Sequence, residues 1–374
     1  MTTIKVNNIT NLDGTGAPNI IDGVTIAGST LEQIGSLEYA ESASEPVSPT
    51  NGAVWWDTAN EKLFTRMNGA WVEVEVDATI PLPSPSPIGS RGLFGGGFVS
   101  AADTTIDYVD ITTTGSATDF GDLTAARFDV DACSDNTKGL FGGGYTTTYS
   151  NIIDYVTIST AGNAVDFGDL TVARYGLGSC SDGVYGLFGG GSDASRVNTI
   201  DYVTIATTGN ATDFGDLTVI RIYVTSCSNT TRGLFGGGWN GADRLNTIDY
   251  VTIATTGNAT DFGDLTIAGD QLAACSDGTY GLFGGGRRTS GVESNIIDYV
   301  TISTTGNATD FGDLTVAREA LSACSNTTRG LFGGGYTTVN LNTIDYVTVA
   351  TPSNATDFGD LTAARRFLAA CSGS

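Results

Sequence analysis

The sequence predicts an all-β fold, a six-bladed β-propeller with a small β region in front of it. Three observations carry this. The hexapeptide Gly-Leu-Phe-Gly-Gly-Gly occurs six times, starting at Gly92, Gly139, Gly186, Gly233, Gly281 and Gly330, at intervals of 47, 47, 47, 48 and 49 residues. Every copy lies within the same succession of four strand-like runs, and four strands in about 47 residues is the signature of a propeller blade. No copy shows a helical hydrophobic period, which excludes solenoids built from helix pairs.

Element by element, residues 1–35 read as short strands around a Gly-rich connection, Thr3-Ile-Lys-Val-Asn-Asn-Ile and Ile20-Ile-Asp-Gly-Val-Thr-Ile. Residues 36–80 form a second small region. There Asn68-Gly69, between Lys62-Leu-Phe-Thr-Arg-Met and Ala70-Trp-Val-Glu-Val-Glu-Val, is the strongest short hairpin signal in the chain. Trp55, Trp56 and Trp71 supply enough aromatic surface to pin a small sheet. Residues 81–87, Pro-Leu-Pro-Ser-Pro-Ser-Pro, make a stiff extended linker, and seven of the eight prolines fall at or before Pro87.

The propeller then occupies residues 88–374. Within a unit the expected strands are a short run holding Cys-Ser, then Gly-Leu-Phe with its glycines, then Ile-Asp-Tyr-Val-Thr-Ile, then a weaker one around Asp-Phe-Gly-Asp. The first unit has Pro85-Ser-Pro-Ile where its Cys-Ser strand belongs. The last unit runs on into Phe367-Leu-Ala-Ala-Cys-Ser-Gly-Ser374. That spare strand is expected to complete the first blade and leave no open sheet edge.

The repeat resembles a kelch-type propeller. A tyrosine follows the last glycine by 11 to 13 residues (Tyr108, Tyr155, Tyr202, Tyr250, Tyr299, Tyr346). A second aromatic comes 12 residues later (Phe120, Phe167, Phe214, Phe262, Phe311, Phe358), where kelch repeats usually carry Trp. The N-terminal region, with Ile4-Lys-Val-Asn-Asn-Ile-Thr-Asn-Leu-Asp-Gly-Thr-Gly and Asn51-Gly-Ala-Val-Trp-Trp-Asp-Thr, is similar to the front ends of bacteriophage virion proteins. The resemblance is in particular to tail-fibre-like proteins of marine and cyanobacterial phages. That resemblance implies attachment to other virion proteins through residues 1–80, homo-oligomerisation through the same region, and residence in the virion.

Composition narrows the chemistry. The chain has 17 basic and 41 acidic residues and no histidine, a net charge of −24. Nucleic-acid binding through phosphates is not expected of such a chain, and the commonest metal ligand and general base is missing. There is neither a signal peptide nor an apolar run of membrane-span length, so synthesis in the host cytoplasm without membrane insertion is expected. The copper-radical chemistry known on some kelch propellers needs histidine ligands, and no cofactor is expected.

Six cysteines, Cys133, Cys180, Cys227, Cys275, Cys324 and Cys371, take one position per blade and read as small core residues rather than disulfides or a metal ring. The repeated Asp-Phe-Gly-Asp lacks a catalytic loop and a phosphate loop, so its aspartates are expected to cap turns between the third and fourth strands. Pairs such as Asp119/Asp122 and Asp213/Asp216 leave calcium open as an alternative. Four Asn-Ala-Thr sequons, at Asn210, Asn258, Asn307 and Asn354, are read as turn residues.

The copies disagree in two stretches, after the triple glycine and before the Cys-Ser strand. In an up-down-up-down blade both lie on one face of the disc. Loops that vary on a constant scaffold suit recognition. The residues expected on that face are Tyr145, Tyr149, Tyr175, Arg196, Tyr223, Trp239, Arg244, Arg287, Arg288 and Tyr336. Aromatic planes and arginine forks suit sugars and anionic groups. The expectation is a non-enzymatic virion protein whose propeller binds a host-surface glycan or other envelope component. The alternatives are a decoration protein that binds only neighbouring virion subunits, and a glycan depolymerase using unrepeated acids such as Asp129, Asp131, Asp270 and Glu319.

Overall fold

The structure, a computed structural model, describes residues 90–289 and 291–373 fully and, before residue 90, the backbone of nine short strands. It divides into two compact units, Met1–Pro85 and Ser86–Ser374. In the first unit Lys5–Val6 pairs with Val24–Ile26, and Ile9–Thr10 with Asn19–Ile20. Lys62–Met67 and Ala70–Glu73 form the hairpin expected across 68–69, with Met67 opposite Ala70. That sheet continues through Val54–Asp57 to Tyr39–Ser42, a parallel edge strand that the sequence pattern had not disclosed. The linker at 81–87 lies outside the described residues.

In the second unit every blade is a four-stranded antiparallel sheet, and in blades two to six the strands follow chain order. Blade two, as an example, consists of Asp131–Ser134, Lys138–Gly142, Ile152–Thr157 and Val165–Asp169. The first strands of successive blades adjoin one another around the axis. Blade one takes its first strand from the far end of the chain. Ala369–Ser372 pairs with Arg91–Gly95, Leu93 lying opposite Cys371, so the ring closes as the sequence predicts.

Small residues let the blades interlock. A Cβ on Gly142 would sit 2.5 Å from the ring of Phe188, and the same contact joins each blade to the next, ending with Gly333 against Phe94. All six of these phenylalanines are fully buried, each removal from water stabilising by about 2–3 kcal/mol. Nearer the axis each cysteine sulfur lies over the first glycine of the hexapeptide in the following blade, Cys133 over Gly186 for example. The six thiols are free and buried, and burial pushes them up, Cys275 to about 12.

Asp-Phe-Gly-Asp is the fourth strand itself, which corrects the turn-capping role expected of its aspartates. A bulge moves the register from Ile106 opposite Gly121 to Asp107 opposite Asp119, leaving Phe120 unpaired and turned into the core. The turn after the third strand of blade one is capped instead by Asp110, whose Oδ1 accepts from the Thr112 amide at 2.9 Å. Gly121 has φ +149°, and a Cβ there would meet the backbone of Gly162 in the next blade at 2.5 Å. That close approach brings the sequon asparagines into play. Asn210 Oδ1 accepts from the Asp169 amide and Asn258 Oδ1 from the Asp216 amide, both at 3.1 Å. These residues latch one blade to the next.

The connection between blades holds a second clamp. Thr124 donates to Asp154 through its hydroxyl at 2.6 Å and its amide at 3.1 Å, and Arg127 meets the same carboxylate at 2.9 Å. Both members of the ion pair are fully buried. Arg174–Asp201, Arg221–Asp249, Arg318–Asp345 and Arg365–Asp107 repeat it, the last across the closure. In the remaining copy Gly269 stands where the arginine belongs.

Candidate functional site

Before each first strand the chain passes through a residue in the left-handed region: Asp129, Gly176, Tyr223, Gln271, Ala320 and Phe367, with φ between 53° and 64°. Only one of these is glycine, and a non-glycine residue there costs about 1 kcal/mol or more. The conformation is held by a closed cycle of hydrogen bonds. The amide of each residue donates to the carbonyl of its counterpart in the preceding blade, from Asp129 to Phe367 at 2.9 Å round to Phe367 to Ala320 at 2.8 Å. At the other end of the first strands six serine hydroxyls do the same, Ser134 Oγ donating to the Ser372 carbonyl and so on to Ser372 with Ser325. Both ends of the axial shaft are therefore ringed.

The loops after the triple glycines fold against the segments leading into these left-handed residues. Phe128 bridges Tyr145, Tyr175 bridges Ser192, Ile222 bridges Trp239 and Glu319 bridges Tyr336. The two stretches in which the copies differ are thus one surface around the mouth of the shaft.

Aromatic rings make a circuit there. Tyr145, Tyr149 and Tyr175 lie with centroids 5.6 Å apart in each pair, the planes of Tyr149 and Tyr175 only 2° from parallel. Tyr175 leads to Tyr223 at 6.3 Å, Tyr223 to Phe367 at 6.4 Å, Phe367 to Phe128 at 6.1 Å, and Phe128 back to Tyr145 at 5.6 Å. Tyr149 is exposed and the others are half-buried. The result is a stepped apolar surface with hydroxyls at its edges.

The arginines divide. Arg196 lies over the Trp239 ring at 4.1 Å. Arg244 and Arg287 both pair with buried Asp270, at 2.9 and 3.3 Å, and Arg287 also meets Glu319 at 3.4 Å. Tyr336 is covered by Arg366 at 4.3 Å. Arg288 does not belong to the surface, which corrects its place among the candidate ligand contacts. Its side chain is buried and donates to the carbonyls of Ile267 at 2.9 Å and Ile296 at 3.5 Å. It fills the space beside Gly269, whose Cβ would come within 3.2 Å of Arg288 Cδ and Nη1, and it faces Asp298, the aspartate left without its usual arginine.

Sequence reasoning passed over Phe128, Gln271, Arg366 and Phe367 as site residues. Their position in the variable segment before the Cys-Ser strand was the signal. Asp129 and Asp131 line the shaft below the mouth, together with Tyr223, Gln271, Ser226 and Phe367. Burial pushes the Asp129 carboxyl up to about 8 despite the opposing pull of Arg366. Asp131 is pushed up to about 7 by burial, against amide donors from Ala132 and Ser179. Among the described residues no group of three or more Asp, Glu, Cys or His side chains could hold a metal ion.

The chain matches no family model, and no curated protein sequence resembles it significantly.

Proposed function

We propose that the chain is a binding protein of a virion surface, with the mouth-side face of its propeller taking a host-surface glycan. The observation that carries this reading is the aromatic circuit. A scaffold repeated almost unchanged six times sets its differing side chains on one face, where Tyr145, Tyr149, Tyr175 and Tyr223 join into a continuous platform beside arginines. Flat apolar faces edged by hydroxyls and guanidinium groups match the alternating CH faces and hydroxyl edges of sugars. The reading is non-enzymatic, because two of the candidate acids on this face, Asp270 and Glu319, are already engaged with arginines. Attachment to the particle and oligomerisation are assigned to residues 1–80 on their resemblance to phage fibre proteins. The net charge of −24 favours solubility of a protein displayed in many copies.

The test is a binding assay of the full chain against host cells and arrayed glycans, beside the double variant Tyr149→Ala/Tyr175→Ala. The expected result is saturable binding that weakens about tenfold or more in the variant, as loss of a central aromatic anchor does. Binding that survives the variant unchanged would sink this choice of face. Incorporation into virions without binding to any cell or glycan would leave a subunit that contacts only its neighbours.

A further inference from the structure

We propose that the mouth of the axial shaft holds a primary ammonium group, taken between the carboxylates of Asp129 and Asp131 and the free amide oxygen of Gln271. The shaft below the mouth contains a cavity of about 80 Å³, room for a few atoms of a ligand end group and an accompanying water. Its wall is unusual in what it lacks. Gln271 Oε1 and Ser226 Oγ are buried, line the cavity and have no hydrogen-bond partner. An unpartnered buried polar atom costs about 1–3 kcal/mol, so an occupant that satisfies it is favoured. The Asp129 carboxyl has burial against it and only the Arg366 guanidinium acting in its favour.

The chemistry of the wall selects the occupant. Asp129, Asp131 and Gln271 Oε1 are acceptors, and the Ser226 hydroxyl adapts to either role. A group with three N–H donors and one positive charge satisfies this set; an anion or a bare carbonyl does not. The rings of Tyr223 and Phe367 stand beside these groups in the cavity wall, where a cation gains further from aromatic faces. A dedicated metal site is disfavoured, since two carboxylates are all the wall supplies.

The carboxylates of the site come from blade two alone. Where blade two places Asp129 and Asp131, the other blades carry Gly176/Gly178, Tyr223/Thr225, Gln271/Ala273, Ala320/Ser322 and Phe367/Ala369. The six-fold backbone thus holds one acidic sector, facing Gln271 from blade five. The charged and titratable groups around the two carboxyls are Arg366, the hydroxyls of Tyr175 and Tyr223, and the thiols of Cys133, Cys180 and Cys371. Asp270 and Arg287 lie beyond Tyr223. Burial favours the protonated form of the Asp129 carboxyl, and an ammonium ion enters by displacing that proton. On the glycan reading the ligand becomes an amino sugar with an unacetylated nitrogen; that identity rests on the reading, whereas the ammonium site does not.

Isothermal titration of the full chain with methylammonium chloride at pH 7, in two buffers of different ionisation enthalpy, tests the site, with sodium chloride as the blank. The expected result is binding with net proton release, weakened about tenfold by Asp129→Asn and also by Gln271→Ala. Val165→Ala, at an exposed position on the fourth strand of blade two, should leave methylammonium binding unaltered. No heat beyond the sodium blank, or binding indifferent to both substitutions, overturns the proposal. If methylammonium binds and glucosamine binds more tightly than N-acetylglucosamine, the amino-sugar identity stands with it. If glucosamine gains nothing over methylammonium, the ammonium site holds and the sugar identity falls.

Discussion

Replacing Arg288 with Ala should expose how blade five survives without the arginine of its siblings. Arg288 donates to the carbonyls of Ile267 and Ile296, and its charge opposes the burial that pushes the Asp298 carboxyl up. Removing one member of a buried pair costs about 3–5 kcal/mol. Here Arg288 acts on Asp298 through space, and Asp298 keeps two hydrogen bonds from Thr266, at 2.6 and 3.1 Å. The expected loss is therefore smaller, about 2–3 kcal/mol, or a fall in Tm of about 5–10 °C for a ring of this size. The sign with pH follows from the raised carboxyl. Such a group weighs least on the fold while it stays protonated and most once it ionises, so the deficit should widen as pH rises from 4 towards 8. Thermal unfolding followed by circular dichroism at pH 5 and pH 8 measures both. The decisive comparison is Arg288→Ala with Gly269→Arg, which returns a guanidinium to the position held by Arg127, Arg174, Arg221, Arg318 and Arg365. It should recover at least half of the lost stability, whereas Gly269→Arg alone should destabilise by crowding Arg288. An unchanged Tm for Arg288→Ala, or a double variant weaker than that single one, would refute the compensation.

Three further outcomes are expected. Gly142→Ala drives a methyl into the Phe188 ring and should cost about 1–3 kcal/mol in urea unfolding, while Gly162→Ala, with open space around its Cβ, should cost under 1 kcal/mol. Asp129→Asn removes a carboxyl raised to about 8, whose folded form is favoured only while protonated; the variant should gain stability over the parent as pH climbs from 4 through 8, read from urea midpoints across that range. Asn258→Ala breaks the latch to Asp216 and should cost about 0.5–1.5 kcal/mol, whereas Thr260→Ala, which abolishes the same sequon but keeps the asparagine, should cost less; equal losses would assign the effect to the strand rather than the latch.

The ring was legible because its contacts repeat. Each glycine of Gly-Leu-Phe-Gly has a partner in a neighbouring blade, a cysteine of the preceding one for the first and a phenylalanine of the next for the second, so the spacing between copies had to be kept wherever the packing was. The Cys-Ser strand at the end of the chain could be paired with the blade that lacked one by counting alone. Arg288 was misplaced for the opposite reason. Its burial follows from a vacancy at Gly269, nineteen residues earlier, and a reading that sorts side chains by loop sees only an arginine after glycines. The clue was the arginine missing from one copy in six. The Asn-Ala-Thr triplets, read as turn residues, do lie between strands, but they also latch neighbouring blades. Asn163 occupies the same position in Ala-Gly-Asn-Ala-Val, with no hydroxyl residue following, so the shared element was the amide oxygen rather than the glycosylation pattern. The left-handed ring around the mouth left almost no trace, since five of its six residues are not glycine and the cycle that holds them is made of backbone.

The placement of the cysteines has a kinetic consequence. Each sulfur is wedged between its own blade and a glycine of the following one, and burial keeps it a thiol rather than a nucleophilic thiolate. An alkylating reagent can reach it only after those two blades part. The six modification rates, resolved by peptide mass, are then six independent clocks spaced around the circumference. If all run at one rate, the disc opens as a whole; if Cys324 or Cys371 runs ahead, it opens first beside the blade stitched from both ends of the ring.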